Sequence, residues 1–167
     1  IAEAAELDPD EDVLVSWLPL YHDMGLVGLL TLPMSTGTAL VLGAPQDFTA
    51  RPARWMEWLS TYGGTATAGP NFSYVLATRA LQRSEQLDLS RLRIALNGAE
   101  PIDPDQVEAF IEAGRRHGDH EALPAQHRGM LGAGLEFAVE KLGRGPDAVC
   151  HAGQVVAVAG DQVLNGG

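Results

Sequence analysis

His22 and Asp23 stand between two apolar runs in "LPLYHDMGL" (residues 18–26), with a glycine two positions further on. An imidazole beside a carboxylate can move protons, orient a nucleophile or help hold a metal. The nucleophile nearest in sequence, Ser16, lies inside a buried-strand pattern, and the chain has no G-x-S-x-G elbow, which argues against a hydrolase triad. The other histidines, His117, His120, His127 and His151, show no paired-ligand spacing outside the last fifty residues. On spacing alone, a histidine in a strand-end loop is more often a hydrogen-bonded structural residue than a catalyst. Two further stretches combine small and polar residues. "NGAEP" (Asn97–Pro101) could let a planar base or a phosphate approach the backbone, or could be an ordinary strand-to-helix turn. "GPNF" (Gly69–Phe72) could be a pocket wall or a turn that caps a helix.

The elements that would carry these stretches follow from apolar patterning. Val13–Leu20 is a nearly continuous apolar run and reads as a buried strand closed by Pro19. Met24–Ser35 predicts an apolar helix and Thr38–Gly43 a second buried strand. In "RPARWMEWLSTYGG", Pro52 suits a first helical turn, and Trp55, Trp58, Leu59 and Tyr62 recur at core-packing spacing. Gly64–Pro70 predicts a small-residue strand, followed by a helix that Asn71 could cap. Leu92–Gly98 predicts the next strand. Asp103 before Pro104 and Gln106 is a strong helix start, with Val107, Phe110 and Ile111 as the buried stripe and Gly118 as the stop.

Strands alternating with helices imply an α/β fold, built from βαβ units around a parallel sheet. Ligands in such sheets gather beyond the carboxyl ends of the strands, and both "YHDMG" and "NGAEP" fall there. From Asp119 the composition shifts toward Gly, Ala, Gln and His, so the expected division is residues 1–118 and a tail of residues 119–167. Within the tail, Met130–Leu142 could be a helix, and Gln154–Ala159 and Gln162–Leu164 short strands.

Composition narrows the function classes. Twenty-two acidic against 11 basic residues give a net charge of −11, a poor basis for gripping nucleic acid or an anionic membrane. Cys150 is the sole cysteine, so an intrachain disulfide is excluded. No apolar stretch approaches the ~20 residues of a membrane span, and the first residues carry no recognisable signal peptide; the expectation is a cytoplasmic protein.

Taken together and in order, "LPLYHDMGL", "RPARW", "GPNFSY" and "NGAEPI" closely resemble the adenylate-forming superfamily. More narrowly they resemble its fatty-acyl-AMP ligases, which in mycobacteria and related actinobacteria feed lipid and polyketide synthesis. The resemblance covers about residues 1–118, an internal slice of that family's N-terminal domain; residues 119–167 show no resemblance to the family and are expected to be a tail of unassigned fold. It implies an enzyme that joins a fatty acid to AMP from ATP with Mg²⁺, releases pyrophosphate, and passes the acyl group to an acyl carrier protein or polyketide synthase. It also implies His22 as the catalytic residue between the acyl carboxylate and the α-phosphate. Gly98, Ala99, Glu100 and Pro101 would form the adenine-binding segment, and Gly69 and Pro70 the border of the acyl tunnel.

The family's phosphate loop, its metal-holding acidic motif, its ribose-binding Asp and its catalytic Lys have no counterpart in these 167 residues. The expectation is therefore a fragment that is inactive alone and has no metal site of its own. Two alternatives stay open: an acyl-CoA synthetase or amino-acid adenylation fragment, and a non-catalytic α/β remnant or interaction module.

Overall fold

The computed structural model describes residues 7–84, 87–99, 101 and 103–118, together with the strands Val155–Ala159 and Gln162–Asn165. In chain order these form β1 (Val13–Ser16), α1 (Met24–Thr31), α2 (Leu32–Thr36), β2 (Ala39–Gly43), α3 (Pro45–Ala50), α4 (Ala53–Tyr62), β3 (Ala66–Pro70), α5 (Asn71–Leu81), β4 (Ile94–Gly98), α6 (Pro104–Gly114), β5 (Val155–Ala159) and β6 (Gln162–Asn165). The sheet runs β4-β3-β1-β2-β5-β6. β1 to β4 are all parallel, as the alternating pattern of strands and helices required. β5 joins parallel to β2, and β6 turns back antiparallel to β5, so two short strands expected in the tail are present in this sheet.

Successive residues Leu14 and Val15 are 2% and 0% exposed, so β1 is covered on both faces, as its unbroken apolar run implied. The Trp55, Trp58 and Leu59 stripe of α4 is buried core. Trp55 meets Tyr74 of α5 edge-on with ring centroids 5.2 Å apart, and Tyr74 meets Phe110 of α6 at 5.0 Å. That aromatic chain joins three helices, and each large-to-small truncation in it would cost about 3–5 kcal/mol. Tyr74 also donates its hydroxyl proton to the Leu96 carbonyl at 2.7 Å, locking α5 to β4, and burial pushes its phenol well above the ordinary value.

Several boundaries differ from the sequence reading for identifiable reasons. β1 stops at Ser16, because the Ser16 hydroxyl accepts from the Leu18 N–H at 3.1 Å and takes that donor out of the ladder. β3 and β4 each start two residues later than expected, at Ala66 and Ile94. The predicted helix over Met24–Ser35 is split. α1 is a π-helix, α2 an α-helix, and the change falls next to Pro33, which has no N–H to give. α3 was not foreseen; its six residues are too few to show a period.

Asn71 does not cap α5. Pro70 holds the cap position, and the Asn71 side chain reaches instead toward β4. Asp103 does cap α6, accepting from the Asp105 N–H at 3.0 Å. The helix expected over Met130–Leu142 lies outside the described residues.

Candidate functional site at the carboxyl edge of the sheet

The parallel sheet sends β1, β3 and β4 out at one edge, and each of the three sequence motifs lies at or just beyond the end of one of these strands. β3 lies between the other two, so β1 and β4 are two strand spacings apart, about 10 Å. Gly69 pairs with Asn97 and Pro70 with Gly98 in the β3–β4 register, which puts two of the motifs side by side.

His22 is exposed in the loop between β1 and α1. Its N–H donates to the Pro19 carbonyl at 3.2 Å, and its own carbonyl accepts from the Leu26 N–H at 2.9 Å. The loop is therefore tied to the end of β1 on one side and to α1 on the other. Gly25 makes the tie possible, since a Cβ there would lie 2.4 Å from the Pro19 oxygen. Around His22 the chain exposes Leu20, Tyr21, Leu26 and Val27, with Tyr21 92% accessible. Ser16 is fully buried, and its hydroxyl is taken by the Leu18 N–H, so no nucleophile stands there.

Past β4 the backbone turns sharply. Ala99 has φ +67°, the only non-glycine residue among those described with a positive φ. A residue with a Cβ in that region costs about 1–2 kcal/mol, and such strain concentrates where a loop has a task beyond connecting elements. Pro101 is exposed two residues on. Glu100, the remaining member of the expected adenine segment, lies outside the described residues. Asn97, immediately before this loop, is 3% exposed; it donates Nδ2 to Asn71 Oδ1 at 2.9 Å and leaves its own Oδ1 buried without a partner. Sequence reasoning quoted both asparagines without giving them a role at the site; no spacing rule links residues 26 positions apart.

Gly69 is small for a local reason. A Cβ there would come within 2.4 Å of Ser73 Oγ and 3.0 Å of the Trp55 ring, so the position is packed against the aromatic core. Pro70 is half-buried at the strand end, and Phe72 just beyond it is 49% exposed.

A separate apolar hollow of about 390 Å³ opens between the ends of β1 and β2, walled by Leu18–Tyr21 and Leu42–Gln46. It takes in neither His22 nor any of Gly69, Pro70, Gly98 and Ala99. Among the described residues no three His, Cys, Asp or Glu side chains gather to hold a metal ion, and no helix is long and apolar enough to cross a membrane.

With fold and edge in view, the comparisons are consistent with one another. The family model for "AMP-binding enzyme" matches residues 1–122, and the chain belongs to that family. A Mycobacterium tuberculosis protein classed only as a ligase is 41% identical over 155 residues, a match longer than residues 1–118 alone; it covers 91% of this chain and 27% of that protein. The long-chain-fatty-acid–AMP ligase FadD28 of M. tuberculosis is 33% identical over 150 residues, covering 89% of this chain and 26% of that enzyme. Among solved structures, the fatty acyl-adenylate ligase of L. pneumophila in complex with acyl adenylate and pyrophosphate aligns with a TM-score of 0.63. That alignment is 32% identical and covers 70% of this chain and 21% of the other. The chain thus spans about a quarter of the length of the curated relatives it matches.

Proposed function

We propose that this chain is part of an enzyme that activates a fatty acid as its acyl-adenylate, supplying the carboxyl edge of the nucleotide and acyl site. The observation that carries this reading is the strand order β4-β3-β1 with all three strands parallel. It brings an exposed imidazole and a tight backbone bend to one edge from residues 76 positions apart (22 and 98). Enzymes of the family use ATP, typically with Mg²⁺.

In the proposed site His22 donates a hydrogen bond where the acyl carboxylate meets the α-phosphate. That contact offsets charge repulsion between two anions brought together, which dominates the barrier to such a step. The small residues Gly98 and Ala99, with Pro101, let the adenine lie against the backbone. The exposed Leu20, Tyr21, Leu26, Val27 and Phe72 offer the apolar surface that an acyl chain needs. Glu100 is assigned to the adenine segment by resemblance, and Gly69 and Pro70 to the border of the acyl tunnel. An acyl carrier protein or polyketide synthase receives the acyl group in the proposed full reaction.

Titration calorimetry with a non-hydrolysable acyl-adenylate tests the assignment. Saturable heat with one site per chain, weakened when the acyl chain is removed from the probe, supports it. Heat from neither acyl-adenylate nor AMP points instead to a non-catalytic α/β module.

A further inference from the structure

Asn71 occupies the first position of α5, yet its side chain serves β4 and α6. Its Oδ1 accepts from Asn97 Nδ2 at 2.9 Å and faces the Asp103 N–H at 3.5 Å. A backbone N–H can only donate, so the Asp103 contact fixes which end of the Asn71 amide points inward. With the Asn71 oxygen inward, Asn97 must present its NH₂, and the Asn97 oxygen is left buried with no donor. A buried asparagine with an orphaned oxygen is a poor choice for stability, and departures of this kind mark places with another duty.

The two partners of Asn71 bracket one short loop. Asn97 precedes Gly98 and Ala99, the latter at φ +67°, and Asp103 caps α6, so a single oxygen ties the end of β4 to the start of α6. Strained backbone persists only where its surroundings over-determine it. From this we infer that Asn71 is a positioning residue: it latches the end of β4 to the cap of α6 and keeps the Gly98–Ala99 bend shaped for a nucleotide. The inference deepens the adenylate-binding reading above and rests on it for the nature of the ligand.

The test uses the full 167-residue chain with AMP as the probe. Asn71→Leu removes the acceptor at similar size, whereas Asn71→Asp keeps an oxygen able to accept from both donors. NMR-detected amide exchange at Asp103 and Ala99 reads the latch directly. With Asn71→Leu it should accelerate by about tenfold or more, and AMP should bind about fivefold or more weakly, because a pre-shaped loop no longer offsets the ordering cost. Asn71→Asp should bring both measurements back toward the parent. Should Asn71→Leu fail to melt cooperatively, Asn71→Ser replaces it, its side chain being too short to reach Asn97.

Unchanged exchange in the leucine or serine variant overturns the latch. Faster exchange with undiminished AMP affinity overturns its positioning role. Faster exchange in a chain whose parent binds no AMP supports the latch and counts instead against the nucleotide reading.

Discussion

Trp55 donates its indole N–H to the Thr67 hydroxyl at 2.9 Å, and Thr67 in turn donates to the Val15 carbonyl at 2.6 Å. Trp55 and Thr67 are 0% and 1% exposed, so the relay from α4 through β3 to β1 runs without water. Each member is satisfied by the next, and the relay holds the strands that deliver two of the three site loops. Thr67→Val keeps the shape and removes the hydroxyl, leaving the indole donor unpaired. We expect a loss of about 1–3 kcal/mol in urea unfolding. A change below about 0.5 kcal/mol, the range of an ordinary surface substitution, would mean that the relay contributes nothing.

Gly69 distinguishes packing from ligand contact. Because Ser73 and Trp55 fill the space beside it, Gly69→Ala should lower stability by about 1–3 kcal/mol through overpacking, with no ligand present. Thermal melts of the unliganded chain measure this. An unshifted melting temperature would remove the packing explanation and leave the tunnel border as the reason for glycine.

His22 should behave in the opposite way. It is exposed, so His22→Ala should leave stability within about 0.5 kcal/mol. Its affinity for the acyl-adenylate probe should fall by about tenfold, the range for a hydrogen bond to a charged group. Equal affinity in variant and parent would take His22 out of the site.

Asp12 sets an acid limit on the fold. Burial by itself would raise its carboxyl, but hydrogen bonds from Arg93, Thr65 and the Asp8 N–H outweigh this, and its pKa is lowered below the ordinary carboxylate value. Arg93 holds it with two donors, Nε to Oδ1 at 3.0 Å and Nη2 to Oδ2. A depressed folded pKa contributes stability that is present above the unfolded value of about 4 and is lost as pH falls through the folded one. Asp12→Asn should therefore destabilise the chain by about 1–3 kcal/mol at pH 7 and flatten the decline seen below about pH 4. Parallel stability–pH curves for variant and parent would contradict this.

Ala99→Gly should relieve the positive-φ strain. The ~1–2 kcal/mol left-handed penalty and the ~0.5–1 kcal/mol entropy cost of glycine nearly cancel, so stability should stay level or rise by up to about 1 kcal/mol. A clear drop in melting temperature would show that the Ala99 methyl has packing worth more than its strain.

The residues 1–167 as they stand should show no ATP–pyrophosphate exchange with long-chain fatty acid, because the family's phosphate loop and catalytic Lys are not among them. Exchange above background would overturn that.

Local patterning was enough to settle the fold class. Val13–Val15 and Ala39–Leu42 are apolar at every position, which suits a strand covered on both faces, and the Trp55–Trp58–Leu59 spacing fits a helix with one buried side. The Asp103 cap could be read because it acts two residues along its own chain. That the 22 and 98 loops share the carboxyl edge was legible, but the strand order that sets β1 and β4 two strand spacings apart was not, because which strands pair is settled by long-range packing that no short window contains. For the same reason Asn71 looked like a helix cap. Its true partners, Asn97 and Asp103, come within reach only once β3 lies in register with β4, so the choice between capping and latching belongs to the tertiary structure.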